Sequence, residues 1–351
     1  MSENMQPELP TAEVELGVEA PVEEAKTICI QLLPSWRALC KDDLDVTTIS
    51  GGITNVMVKV TPESGKCLDP VVVRIFGRDT EKIIDREEEL RKLLQLNQHG
   101  FGAKVLAVFS NGRIEEFLKG RIVALSELQL PEVQSKIAVR MAEFHSLLSV
   151  FGTEECSFWN TIASWIKQAE QLKLDDPEKQ ASLEQINFEQ YQADINSVKA
   201  TLLSLNSPVV LSHNDLLHAN IMMLEDGSLQ LIDFEYGGTN YRGFDLGNHF
   251  NEFAGLDCDY TRYPPRSIQE NYARAYLLGS GAAESPTDDQ VRRLVVEANV
   301  SSLASHLFWG LWALIQARYS SIDFDYVEYA KMRYAEFKRR REEFLGMAVG
   351  I

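Results

Sequence analysis

Asp215, Asn220 and Asp233 fall within one short stretch, LSHNDLLHANIMMLEDGSLQLIDFEYGGTNYRGFD from Leu211 to Asp245. Between them they could accept a proton and hold a divalent cation. Carboxylate and amide oxygens are hard donors of the kind that suits Mg2+, which keeps several waters and shares its shell with substrate phosphates. The spacing predicts how two of them meet. Asp226-Gly227 favours the positive backbone angles of a two-residue hairpin loop, and counting outward from it sets Glu225 against Ser228, Leu224 against Leu229 and Asn220 against Asp233. Directly opposed residues on such a hairpin lie about 5 Å apart. Asp215 lies five residues before Asn220. A purely structural role for Asp215, Asn220, Asp233 and Glu235 together would bury carboxylates without compensation, at high cost. His213 and His218 lack a further ligand set with metal spacing, which argues against zinc.

The pattern H-N-D-x-x-x-x-N followed by a hairpin and I-D-F resembles the kinase catalytic loop and its metal-binding aspartate. Asn214 stands where protein kinases carry Arg, and Glu235 where they carry Gly, which points toward small-molecule kinases of that fold. HNDLLHANI together with IDFEYGGTNYRGFDLGNHFNEFAG resembles the choline/ethanolamine kinase family, and the resemblance runs from about Ile49 to Tyr334.

That resemblance implies an α+β, bilobal, protein-kinase-like fold. A small β-rich N-lobe (26–118) would bind nucleotide, and a larger, mostly helical C-lobe (119–351) would carry catalysis and the amino alcohol. It implies ATP and Mg2+ as cofactors, Asp215 as the group acting on the acceptor hydroxyl, and Asn220 and Asp233 as metal ligands. Arg74 takes the place of the phosphate-binding Lys of protein kinases with Glu89 as its ion-pair partner, and Glu116 and Leu118 lie in the hinge whose backbone reads adenine. Tyr236, Glu252, Trp309, Trp312 and Tyr329, with Asp215, would receive the ammonium group, since carboxylates and aromatic faces both attract it. The activity implied is phosphorylation of ethanolamine to phosphoethanolamine, the first step of phosphatidylethanolamine synthesis by the CDP-ethanolamine route. Choline is the alternative amino alcohol. N-E-F-A-G after the histidine-phenylalanine pair resembles the ethanolamine-preferring branch, because choline-preferring members carry a Trp just after the Glu.

These residues need elements to place them. From Thr47 to Val60, VTTIS-GG-ITNVMVKV reads as two strands around a Gly-Gly turn, with Ser50, Gly51, Gly52 and Asn55 able to lie close to a triphosphate. Val71 to Gly77 is a β-branched strand with Arg74 inside it. A helix follows from Thr80, a plausible cap, to Gly100, carrying Glu87, Glu88 and Glu89. Strands are expected over Lys104 to Phe109 and Arg113 to Phe117. Pro131 to Leu148 is an amphipathic helix in which His145 reads as a packed histidine. Two or three helices fill Phe151 to Asn206 before a strand at Val209 to Leu211, and the C-terminal third is helical. Trp309 and Trp312 share a helix face. In kinase-like folds the carboxylate at the position of Asp245 anchors the catalytic loop, a structural role.

Composition narrows the partners. With 52 acidic and 34 basic side chains and a formal charge of -18, the chain repels phosphate backbones, which argues against nucleic acid. Five scattered cysteines without C-x-x-C spacing suggest neither disulfides nor zinc and fit a reducing cytosol. No apolar stretch approaches the length of a membrane span, so stable membrane insertion is not expected. Residues 1–25, rich in Glu and poor in large apolar groups, are expected to form an unordered acidic tail. A homodimer is left open. Two other readings compete: another small-molecule kinase of the fold, acting on an aminoglycoside or sugar, and a pseudokinase, against which the intact Asp215, Asn220 and Asp233 speak.

Overall fold

A computed structural model describes residues 9–17, 21–49, 55–63, 68–77, 85–151, 155–282, 284–320 and 322–351. The chain divides into two compact units, Met1–Gly120 and Arg121–Ile351.

The first unit is built on a sheet. Its elements are β1 (Thr11–Ala12), α1 (Val22–Leu32), β2 (Leu44–Ile49), β3 (Asn55–Pro62), β4 (Val71–Phe76), α2 (Arg86–Gln98), β5 (Val105–Phe109) and β6 (Gly112–Glu116). The six strands run in the order β1-β5-β6-β4-β3-β2, antiparallel except where β1 joins β5. Valine-rich alternation supplies the core: Val58, Val60, Val73, Ile75 and Ile114 bury against Ile28 and Trp36. α2 begins later than its sequence suggests. Asp85 caps it by accepting from the Glu88 N–H, the standard device for satisfying a first-turn donor, while Thr80 lies outside the described residues. Within the stretch expected to be an unordered tail, the described residues 9–17 are placed against the sheet. Thr11 and Ala12 pair with Val108 and Phe109, Leu16 is buried, and Asn111 fixes the Leu16 backbone through its amide oxygen and nitrogen. A sparse composition suffices here because the segment only has to add an edge to a sheet that other residues bury.

The second unit is mostly helical. It comprises β7 (Gly120–Ile122), α3 (Pro131–His145), α4 (Leu148–Phe151), α5 (Phe158–Glu170), α6 (Pro177–Glu184), α7 (Phe188–Ser204), β8 (Val209–Ser212), β9 (Ile221–Leu224), β10 (Leu229–Leu231), β11 (Gly238–Tyr241), α8 (Arg242–Glu252), α9 (Arg266–Gly279), α10 (Asp288–Tyr319) and α11 (Tyr326–Met347). α10 is buried along nearly its whole length. Gly247 lets α8 approach it closely, since a Cβ there would sit 2.2 Å from the Ala298 carbonyl oxygen. Among the described residues no helix is long and apolar enough to cross a membrane.

Candidate active site

The loop from β8 to β9 carries Asp215 and Asn220, and a buried carboxylate underneath sets its shape. Asp245, in the first turn of α8, accepts from the backbone N–H groups of His213 at 2.6 Å and Asn214 at 2.7 Å. Its Oδ2 also meets His145 Nε2 at 3.0 Å, and His145 Nδ1 meets the Tyr276 hydroxyl. Burial alone would raise the Asp245 pKa, but the hydrogen bond and charge of His145 and the donors of the loop hold it below its ordinary value. Asn214 adopts a left-handed φ of 65°. Its side chain donates to the Tyr236 carbonyl and accepts from Asn240, tying the loop to the segment after the hairpin. His213 and His218 each spend a ring nitrogen on a backbone carbonyl, Ile232 and Val123 respectively.

The hairpin register differs from the count made on the sequence. Leu229 faces Met223 and Leu231 faces Ile221, so Asn220 meets Ile232, whose N–H donates to the Asn220 carbonyl at 3.0 Å. The cause is the turn. The Asp226 carboxylate takes both the N–H and the hydroxyl of Ser228, and Gly227 at φ 79° closes a three-residue loop instead of a two-residue one. Asp233 then takes a left-handed φ of 65°, leaving the ladder. Phe234 behind it packs on Phe144 and His213 and holds the turn in place.

Carboxylates converge here even so. Asn220 Nδ2 donates to the Asp215 carbonyl at 2.8 Å and to its Oδ2 at 3.1 Å. Asp215 keeps some exposed surface, yet protein atoms crowd it closely enough that burial is the largest influence raising its pKa well above the ordinary value. Glu252, Asp233 and Glu235 follow in that order, and only the Asn220 hydrogen bond opposes them. Four acids therefore share one electrostatic neighbourhood. Among the described residues no three His, Cys, Asp or Glu form a closed metal cluster. An open set of oxygen donors suits a cation that brings its own waters and phosphates, so the donor chemistry fits Mg2+.

Beside the acids stands an aromatic group. The Trp312 indole N–H donates to the Tyr236 hydroxyl at 2.8 Å, Tyr236 meets Trp309 edge-on with centroids 5.2 Å apart, and Trp309 meets Trp312 at 5.4 Å. Trp309 is oriented through its own N–H, which donates to Asn248 Oδ1 at 2.9 Å. Tyr326 against Trp312, and Phe324 against Tyr329, extend the group beyond the residues singled out from sequence. Glu252 and Tyr329 are joined by a residue the sequence reading passed over. Arg333 donates to both, at 3.0 Å each.

In the first unit Ser50, Gly51 and Gly52 lie outside the described residues, and Asn55 is described only as the first residue of β3. Arg74 is buried and lies across the β4–β6 ladder from Arg113. Glu89 accepts from Arg113 at 2.9 Å and from Arg86 at 2.6 Å. Burial would raise the Glu89 pKa, but the charges of Arg113, Arg74 and Arg86 bring it down to about 2. Arg74 acts on Glu89 by its charge, while Arg113 and Arg86 are hydrogen-bonded partners of Glu89. Alternation along β6 sets Arg113 and Glu115 on the face opposite Ile114, which reads as solvent by type, yet both are buried. Glu116 exchanges hydrogen bonds with the Lys104 backbone through its N–H and its carboxylate, and Leu118 follows the end of β6.

Comparison with known proteins gives a consistent result. Residues 46–338 match the model of the choline/ethanolamine kinase family. A probable ethanolamine kinase of Arabidopsis thaliana is 39% identical, covering 90% of this chain and 84% of its own length. Human ethanolamine kinase 1 is 36% identical over 93% of this chain and 73% of its own. The solved structure of a Plasmodium vivax ethanolamine kinase superposes with a TM-score of 0.78 at 30% identity, covering 89% of this chain and 86% of that one.

Proposed function

The chain belongs to the choline/ethanolamine kinase family, and on that footing we propose that it transfers the γ-phosphoryl group of ATP to the hydroxyl of ethanolamine, giving phosphoethanolamine. The observation that carries the proposal is the neighbourhood of Asp215: a crowded acid whose pKa is raised by burial, Glu252, Asp233 and Glu235, in a unit that also holds the Tyr236–Trp309–Trp312 aromatic group.

Asp215 accepts the hydroxyl proton as the oxygen attacks, and a raised pKa makes it the stronger acceptor. Asn220 holds that carboxylate through its amide nitrogen, so its amide oxygen is the atom offered to a cation. Asp233 supplies the charged ligand. Asn220 and Asp233 would hold Mg2+, which would neutralise charge on the phosphate oxygens. Arg74, with Ser50, Gly51 and Gly52, holds the ATP phosphates, and Glu89 fixes the arginine cluster through Arg113 and Arg86. The ammonium end of the substrate lies against the aromatic faces with Glu252 as an acceptor for its N–H groups. A trimethylated ammonium has no N–H to offer, and Phe253, Ala254 and Gly255 after Glu252 provide no tryptophan wall for it. Ethanolamine is therefore the preferred substrate over choline. The four described cysteines are all free thiols, in keeping with a cytoplasmic enzyme.

The test is Mg-ATP turnover against ethanolamine, choline, an aminoglycoside and a hexose under identical conditions. Ethanolamine should show the highest kcat/KM. Equal values for the two amino alcohols, or a choline preference, would overturn the substrate assignment, and turnover of the aminoglycoside or hexose alone would overturn the family-based activity.

A further inference from the structure

Arg333 is the hub of the polar layer behind the ammonium pocket. It lies on α11, is 2% exposed, and divides its guanidinium among three partners on three helices. Nη1 donates to Glu252 Oε1 on α8 and to the Tyr329 hydroxyl on α11, and Nη2 donates to Ser305 Oγ on α10 at 2.8 Å. Ser305 in turn donates to Asn248 Oδ1 at 2.8 Å, the same oxygen that accepts the Trp309 indole N–H. Three residues of the pocket, Glu252, Tyr329 and Trp309, are thus set by one side chain, two directly and one through Ser305 and Asn248.

A buried arginine beside a cation site looks adverse, since it repels the ammonium it helps to bind. The geometry gives it a different effect. By occupying one oxygen of Glu252 it turns a free counter-ion into an oriented acceptor, with the pair close to neutral and the remaining oxygen held in place. Attraction by charge alone treats primary and quaternary ammonium groups alike, whereas an oriented acceptor rewards only the one with N–H to donate. Resting on the reading of Glu252 as the ammonium's acceptor, we propose that Arg333 is a positioning residue that sets the selectivity for a primary over a quaternary ammonium.

Arg333→Lys keeps the charge but loses the planar fork that reaches Glu252, Tyr329 and Ser305 together. KM for ethanolamine should rise roughly 10- to 100-fold, the usual cost of losing a residue that orients a ligating group. KM for choline, which loses only what Tyr329 and Trp309 owe to Arg333, should rise no more than about threefold, KM for ATP should hold, and kcat with ethanolamine should change little, so the ethanolamine-to-choline ratio of kcat/KM shrinks at least about threefold. Ser305→Ala, a substitution that helices accept readily, removes one anchor and should move the ratio in the same direction by a smaller factor. It carries the test if Arg333→Lys does not fold. An unchanged ratio in the folded variant, or equal losses for ethanolamine, choline and ATP, overturns the proposal. Glu252→Gln separates the two claims. If it raises KM for ethanolamine while the Arg333 and Ser305 variants leave the ratio unmoved, only the role of Arg333 fails; if Glu252→Gln leaves KM for ethanolamine unchanged, the acceptor reading itself fails.

Discussion

Glu89 and Asp215 are both crowded acids, and the two units treat them in opposite ways. In the first unit, Glu89 is surrounded by Arg113, Arg86 and Arg74 and its pKa falls to about 2. In the second, Asp215 is surrounded by Glu252, Asp233 and Glu235 and its pKa rises. Burial raises both, so the sign is decided by neighbours. A carboxylate satisfied within the fold contributes to stability and positions arginines. One crowded by other acids costs stability, and a cationic ligand would relieve that cost.

The comparison breaks most directly at Asp215. Asp215→Asn should lower kcat about 100- to 10,000-fold, the usual worth of a placed proton acceptor. It should leave ATP binding largely intact and the melting temperature unchanged or higher, because it relieves like-charge repulsion. Near-normal turnover in the folded variant, or a marked loss of stability, would contradict the assignment. On the other side, Arg113→Met should lower stability by about 3 kcal/mol, the low end for breaking a buried ion pair because Arg86 still bonds Glu89. Denaturant unfolding measures it, and a loss below about 1 kcal/mol would show that Arg113 adds little to the cluster.

Asp233→Ala sharpens the contrast at the metal. Asn220 alone is a neutral ligand, so the Mg2+ concentration needed for half-maximal rate should rise roughly tenfold or more. A wild-type Mg2+ response would remove Asp233 from the ligand set.

Much of this site was readable from residue types in order along the chain. HND, the asparagine five residues after Asp215, IDF and the GFD carboxylate name their parts whatever the backbone does between them. The hairpin register was not readable, because the choice between a two- and a three-residue loop rests on the Asp226 side chain capturing Ser228, a contact that leaves the turn dipeptide unchanged. A one-residue change of register reverses which side chains face each other. Asp233 comes near Asp215 regardless, since its left-handed backbone takes it out of the ladder. Arg113 and Arg333 escaped notice for a related reason. Charged residues read as surface when judged by type; the periodicity of α11, where Tyr326, Tyr329, Ala330, Arg333 and Phe337 are all buried, marks Arg333 as interior, whereas Arg113 is buried because both faces of β6 are covered.

The smallest expected effect concerns acid. His249 is buried, with Nδ1 on the Leu216 carbonyl, and burial lowers its pKa to about 4. The unfolded chain, with an ordinary histidine near 6.5, binds the proton first, so stability falls as the pH drops from about 6.5 toward 4, at no more than about 1.4 kcal/mol per pH unit for one group. Glu89 acts lower down: its contribution is fully present above the ordinary value of 4.5 and is lost only as the pH falls toward about 2. Acid should therefore loosen the second unit in a range where the first still keeps its ion pairs. Asp215 has the opposite sign in the same unit, because a raised folded pKa means that acidification relieves a penalty and partly offsets the loss at His249. Asp215→Asn removes that offset, so its stability should decline more steeply than wild type between pH 6.5 and 4. Hydrogen exchange followed by region, with melting curves for both proteins across this range, gives the answer. Earlier opening of β4 and β6 than of α8, or equal pH slopes for the two proteins, would show that the two acids do not differ in the way their neighbours imply.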